Sequence, residues 1–153
     1  MAKRLIDDSI LTSPDFIDLG LKERWLWLGL CLITDDYGWA NADPRFLRSR
    51  IAPSLRMSDA FILQSLEVFS ARRMLLQRAF DGTKCLRLLN FNLFQKLKRK
   101  RFSKYQALEE KRIERKEREG TLSPDELGQA MAEHRDRASL ERVIATTTNG
   151  MKS

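Results

Sequence analysis

The stretch Met74-Leu75-Leu76-Gln77-Arg78-Ala79-Phe80-Asp81-Gly82-Thr83-Lys84-Cys85-Leu86-Arg87-Leu88-Leu89-Asn90-Phe91 decides the fold. Two apolar-rich runs of seven residues flank Asp81-Gly82-Thr83-Lys84, and an Asp-Gly pair supplies the positive backbone dihedrals that a tight reversal requires. The pattern predicts a β-hairpin with strands over 74–80 and 85–91, Arg78 and Arg87 within the strands and Lys84 at the tip.

Working upstream, three helices are expected. Ser58 is a good N-cap for a helix running to about Arg72, with Ile62, Leu63, Leu66 and Phe69 as its core stripe. A shorter helix starts at Asp43-Pro44, a cap followed by proline where a missing N–H costs nothing, and ends at Pro53. Its Phe46, Leu47 and Ile51 are expected to face inward, with Arg45 and Arg48 outside. The first helix, Leu21 to about Thr34, carries Leu21, Trp25, Leu28 and Leu32 on one stripe and Leu26, Trp27, Leu30 and Ile33 around most of the rest, so burial on more than one side is expected. Gly29 in its middle suits a close approach by another backbone. Asp35-Asp36-Tyr37-Gly38 reads as the turn that ends it.

Downstream, Lys96-Leu97-Lys98-Arg99-Lys100-Arg101-Phe102-Ser103-Lys104 holds six cations in nine residues and no acid. Residues 106–119 mix charges, as in an exposed single helix with pairs such as Glu114 and Arg118. Gly120 breaks it, and Ser123-Pro124-Asp125-Glu126 starts another helix too poor in apolar residues to form a core alone. Thr146 to Gly150 reads as disordered.

The chain has 153 residues and is 42% hydrophobic, enough for one compact domain with appendages. Its net charge of +7 is local: residues 1–90 carry +2, 91–120 carry +6 and 121–153 carry −1. A basic field so concentrated fits a polyanion, nucleic acid ahead of an anionic membrane surface. Cys31 and Cys85 lie in apolar runs without metal-ligand spacing and read as buried thiols of a reducing compartment. The N-terminus meets Asp7 and Asp8 before any apolar core develops, and the longest apolar run, Trp25 to Ile33, is about half a membrane span. A soluble, cytoplasmic protein without membrane contact is expected.

Helix, helix, helix, hairpin is the order of a winged helix-turn-helix, with the hairpin as wing. The fold class expected is therefore mainly α with a small β-hairpin, followed by a charged helical C-terminal extension. The domains are 14–95 for the winged helix, 96–120 for a basic arm and 121–153 for a polar, helical or disordered tail. The span from about Pro14 to Tyr105 resembles the N-terminal winged-helix domain of bacteriophage and prophage replication-initiation proteins, the replisome organisers related to DnaD-like primosomal proteins. The matching words are Trp25-Leu26-Trp27-Leu28-Gly29-Leu30 with Asp35-Asp36-Tyr37-Gly38, then Ala42-Asp43-Pro44-Arg45-Phe46-Leu47. Asp81-Gly82, Leu88-Leu89-Asn90-Phe91, Gln95 and Ser103-Lys104-Tyr105 complete them. The resemblance covers about three fifths of the chain and implies binding to an origin or primosome site and recruitment of helicase-loading machinery. Only about 50 residues follow the matched span, a shorter region than such proteins often devote to a loader.

The residues expected to meet DNA are Arg45 and Arg48 on the second helix, Gln64, Arg72 and Arg73 on the third, and Arg78, Lys84 and Arg87 on the wing. Lys96, Lys98, Arg99, Lys100, Arg101 and Lys104 complete the set on the arm. Gln64 alone on the outer face of the third helix is a good reader of base edges. Phe61, Gln64, Val68 and Ala71 are expected on that face, which either touches DNA or packs against a second copy, the tail helix or a partner. The arm is expected to carry the largest share of affinity; Phe102 and Tyr105 either stack on unpaired bases or pack in the core. For every cation taken singly, ordinary solvated surface charge is the plain alternative.

The acidic pairs Asp7-Asp8 and Asp35-Asp36 lack a third ligand and read as turn caps. The single histidine, His134, lies in the polar tail. With no phosphate loop, no Gly-x-Ser-x-Gly and no zinc spacing, neither enzyme activity nor a metal or cofactor is expected. The function expected is DNA binding in phage-type replication initiation, on duplex rather than single-stranded DNA, with the tail contacting a replication partner and a homo-oligomer as an option. Two other readings stay open: a winged-helix transcriptional regulator, and a protein-interaction module such as a phage inhibitor of a host protein.

Overall fold

The computed structural model describes residues 4–51, 53, 56–91 and 100–131. The chain is mainly helical with one small antiparallel sheet, and it divides into two compact units, Met1–Ala107 and Leu108–Ser153.

In the first unit a 3-10 turn, Asp8–Thr12, precedes the short α1, Pro14–Ile17, and α2, Leu21–Ile33. The Glu23 carboxylate accepts from the Gly20 N–H at 3.2 Å and so closes the start of α2. Arg24 donates to the Leu19 and Ile17 carbonyls at 2.9 and 2.6 Å, tying α1 to α2. Strand β1, Trp39–Asn41, then leads into α3, Pro44–Ile51, and α4, Asp59–Ala71. The Ser58 hydroxyl accepts from Phe61 N–H at 3.1 Å, the cap its position foretells.

The hairpin consists of β2, Leu75–Phe80, and β3, Thr83–Leu88. Its turn is tighter than expected, two residues only, with Asp81 at φ +50° and Gly82 at φ +78°, the combination that matches strand twist. Strand β1 was not expected. It pairs antiparallel with β3, Trp39 opposite Arg87 and Asn41 opposite Cys85, giving the order β1-β3-β2.

Side chains alternate across this sheet, and each face carries buried residues. Ala40, Leu75, Leu86 and Leu88 join the main core with Leu26, Trp27 and Leu30 of α2, Leu47 of α3 and Ile62, Leu66 and Phe69 of α4. Trp27 and Phe69 meet edge to face at 5.2 Å. On the opposite face Trp39 is 1% exposed, near Phe80 and Tyr105, and its indole donates to the Gln106 side chain at 2.9 Å. Cys85 is buried on that face and Cys31 in the main core; burial pushes the Cys31 thiol up to about 12.

Five inward expectations fail. Phe46 and Leu63 are exposed, and so are Leu21, Trp25 and Leu32 of the α2 stripe, because α2 buries Leu26, Trp27, Leu30 and Cys31 instead. On α4 the small hydroxyl of Ser65 takes the inner place, and Phe61, expected outside, packs against the core. The reason is geometric: in a short helix pressed on one side by a sheet, the buried arc is set by the neighbours rather than by the most apolar stripe.

The second unit contains the rest of α5, Lys104–Glu119, ended by Gly120 at φ +66°, and a helix α6 over 124–131. The Ser123 hydroxyl accepts from Glu126 N–H at 3.3 Å while the Glu126 carboxylate accepts from Ser123 N–H at 3.2 Å, a reciprocal cap. Arg112 bonds Glu109 and Glu126, both at 2.7 Å, and Lys116 reaches Glu126 at 3.0 Å. Burial alone would raise the Glu126 carboxyl; the Arg112, Lys116 and Ser123 bonds bring it down to about 2. The stretch 106–119 is therefore not wholly exposed, since Gln106 and Glu109 are buried. No helix among the described residues is long and apolar enough to cross a membrane.

Gly29 tests the packing of α2 on α3. A Cβ there would stand 2.2 Å from Cγ2 of Ile51, a β-branched side chain with little rotamer freedom. Gly29→Ala should cost about 2 kcal/mol as overpacking, lowering the melting temperature by roughly 8 °C or more. In an Ile51→Ala background the penalty should shrink to near zero or reverse; equal penalties in both backgrounds would exclude the contact.

Candidate nucleic-acid interface

The cations of the helices and the hairpin expected to meet DNA fall into three sets. The first lies at the tip of the hairpin. The Lys84 carbonyl accepts from Ala42 N–H at 3.0 Å, which holds the tip beside the start of α3. There Asp43 caps the helix by accepting from Arg45 N–H at 2.8 Å. Lys84 and Arg45 are both exposed at this corner, with Asp81 and Asp43 close in sequence, so the local charge is mixed.

The second set stands at the base of the hairpin. Arg72 lies 3.8 Å from Asp18, a loose surface pair, and Arg73 is exposed at φ +57°. A left-handed backbone costs a non-glycine residue about 1 kcal/mol, so a guanidinium is kept where glycine would fit more cheaply. Six-residue strands separate this end from the tip, a distance of about 17–20 Å. The two sets do not form one patch.

The third set is absorbed by the fold. Arg48 bonds Asp59 at 2.5 Å and the Met57 carbonyl at 3.3 Å. Arg87 donates to the Tyr37 carbonyl at 3.3 Å and lies 5.6 Å over the Trp39 ring. Arg78 is half-buried and donates to the Gln77 carbonyl at 3.3 Å. In the folded chain these three guanidinium groups brace the helices and the sheet. Lys96, Lys98 and Arg99 lie outside the described residues, as does His134.

The outer face of α4 is Ala60, Leu63, Gln64, Glu67 and Ala71. Gln64 is exposed as expected, but the helix has no Lys or Arg, and Glu67 is taken up by the Gln77 amide at 3.1 Å. Any affinity for a polyanion must come from elsewhere on the molecule.

The Asp35 Oδ1 accepts from Tyr37 and Trp39 N–H, both at 2.9 Å, the turn cap expected of it; not foreseen is that its Oδ2 accepts the Ser103 hydroxyl. Asp36, only 5% exposed, accepts from Arg101 N–H and Nε at 2.9 Å and from Arg4 Nη2 at 3.2 Å. Lys100 lies 4.8 Å over the Tyr37 ring and Lys104 5.0 Å over that of Tyr105. The end of the basic run is thus anchored on a turn, and Arg101, expected on a phosphate, is bound first to a carboxylate. A sequence signal existed in the adjacent acids Asp35-Asp36 and the acid-free run, two halves of an ion pair.

In comparisons with known proteins, the chain matches no family model, and no curated protein or solved structure is significantly similar to it. Among the described residues no cluster of His, Cys, Asp and Glu could hold a metal ion.

The Arg101 hydrogen bond, with help from the Arg4 charge, holds the Asp36 carboxyl below the usual range although burial pushes it up. Because the folded value lies below the unfolded one of about 3.9, the stabilisation is complete above pH 4 and lost as pH falls through the folded value. Asp36→Asn removes the carboxylate charge facing Arg4 and Arg101, leaves Arg4 only the Asp35 carbonyl at 3.2 Å and the Phe91 ring, and should cost about 3 kcal/mol at pH 7. In urea titrations the variant should show a weaker loss of stability between pH 4 and 2 than the parent; parallel acid limbs would count against the pair.

Proposed function

We propose that this chain is a cytoplasmic DNA-binding protein of replication-initiation type that docks a winged helix-turn-helix on duplex DNA, and that it is not an enzyme. The observation that carries the reading is the order α2-β1-α3-α4-β2-β3 with the helix pair followed by a two-residue-turn hairpin, the element order of that DNA-binding fold. The resemblance in the words around Trp25, Asp43 and Asp81 supports the replication role over the transcriptional one.

The charge distribution suits phosphate contact better than base readout. Arg45 and Lys84 at one end of the hairpin and Arg72 and Arg73 at the other are separated by more than the roughly 12 Å width of a major groove, so they suit phosphates on its two sides. Gln64 is the one base reader on α4, which makes sequence preference weak. Lys104 and the basic run before it add sequence-independent affinity.

Binding to labelled duplexes should therefore fall steeply with salt. About five phosphate contacts give a log–log slope near −4.5, and Arg45→Ala with Lys84→Ala should reduce it by about two for any sequence. Absence of binding at 50 mM salt would end the proposal.

A second reading has its own support. Leu21 and Trp25, with Leu32 further along α2, form an apolar stripe, Trp25 being 54% exposed, and such a face suits a second copy or a protein partner. Light scattering at increasing concentration should show association that Trp25→Glu removes; a monomer throughout leaves a foreign partner, detectable only by its own binding.

A further inference from the structure

We infer that Phe102 is a stacking platform for an unpaired nucleobase, so that the molecule engages single-stranded as well as duplex DNA. The inference rests on the DNA-binding reading above and names a second substrate class for it.

Phe102 is 85% exposed, although burial of a Phe side chain ordinarily stabilises a fold by 1.5–3 kcal/mol. It is not exposed for want of order around it. The residue before it is fixed to Asp36 through its backbone N–H and its guanidinium, at 2.9 Å each. The residue after it is 5% exposed, its hydroxyl given to Asp35 and accepting from Gln106 N–H at 3.2 Å. With the Arg101 backbone tied to Asp36 and Ser103 turned inward, the ring is presented outward at a fixed place on the first unit.

Its setting is cationic. Lys100, Arg101 and Lys104 surround it in sequence, and the Arg101 side chain keeps 66% of its surface in water beyond the Asp36 bond. A phosphodiester strand can follow these charges while one base lies on the ring; every base has a π-face, so the site needs no sequence. Tyr105, the other aromatic of this stretch, is turned to Trp39 at 6.3 Å and is not part of the platform.

The test uses the full chain, a labelled fifteen-nucleotide oligothymidine, an abasic strand of equal length and a duplex. Phe102→Ala should weaken oligothymidine binding by about 5- to 150-fold, the range alanine substitution gives for base–aromatic stacking. Duplex and abasic affinities should stay within twofold of the parent, and Phe102→Trp should restore the loss. Unchanged oligothymidine binding by Phe102→Ala, or no parental binding to it beside normal duplex binding, overturns the inference and leaves the duplex reading standing. Failure on every nucleic acid removes both. Phe102-dependent binding to phosphatidylserine vesicles with no effect on oligothymidine would assign the ring to a membrane surface and overturn it as well.

Discussion

The Asp35 carboxylate is the point on which the first unit turns. One oxygen takes the N–H groups of Tyr37 and Trp39, which shapes the turn after α2 and launches β1. The other takes the Ser103 hydroxyl, which brings back a chain segment 68 residues later. Gly38 serves the same turn at φ +84°, where a Cβ would meet the Leu88 carbonyl at 3.1 Å. Asp36 beside it fastens Arg101 and Arg4. Two adjacent acids thus couple the helical layer, the sheet and the beginning of α5, with no disulfide or metal among the described residues.

What the chain does with its positive charge follows from that coupling. A count of Lys and Arg treats every cation as available to a ligand, yet Arg4, Arg24, Arg48 and Arg87 are engaged with carbonyls, carboxylates or rings of the fold. Guanidinium is suited to this because its planar fork satisfies several acceptors at once. Of the cations left at the surface, Lys84 and Arg45 stand at the tip of the hairpin and Arg72 and Arg73 at its base.

The helices α2, α3 and α4 and the hairpin were legible because each carries local punctuation: the Asp43-Pro44 start, the Ser58 cap and the Asp81-Gly82 turn. Strand β1 was not, since three residues give no measurable alternation and its stability comes from β3, some 45 residues away in sequence. The faces of the helices were only partly legible. Apolarity identified what could be buried, but the sheet position decided what was, leaving Trp25 and Leu63 outside and Ser65 inside. For the candidate interface, residue types were readable and pairings were not: nothing local distinguishes Arg101, bound to Asp36, from Lys84, equally exposed at the hairpin tip. The covered face of the sheet, with Trp39 against Gln106, depends on a contact across 67 residues and had no local trace.

Those same separations set the order of assembly. The helices and the hairpin close over short stretches, but the bonds of Ser103, Arg101 and Gln106 to the turn and β1 span 65 to 68 residues. Closing so long a loop carries an entropy cost that only the finished scaffold can offset. The anchoring of Arg101 and Ser103 on the turn thus draws on helices and a hairpin whose own contacts are far more local.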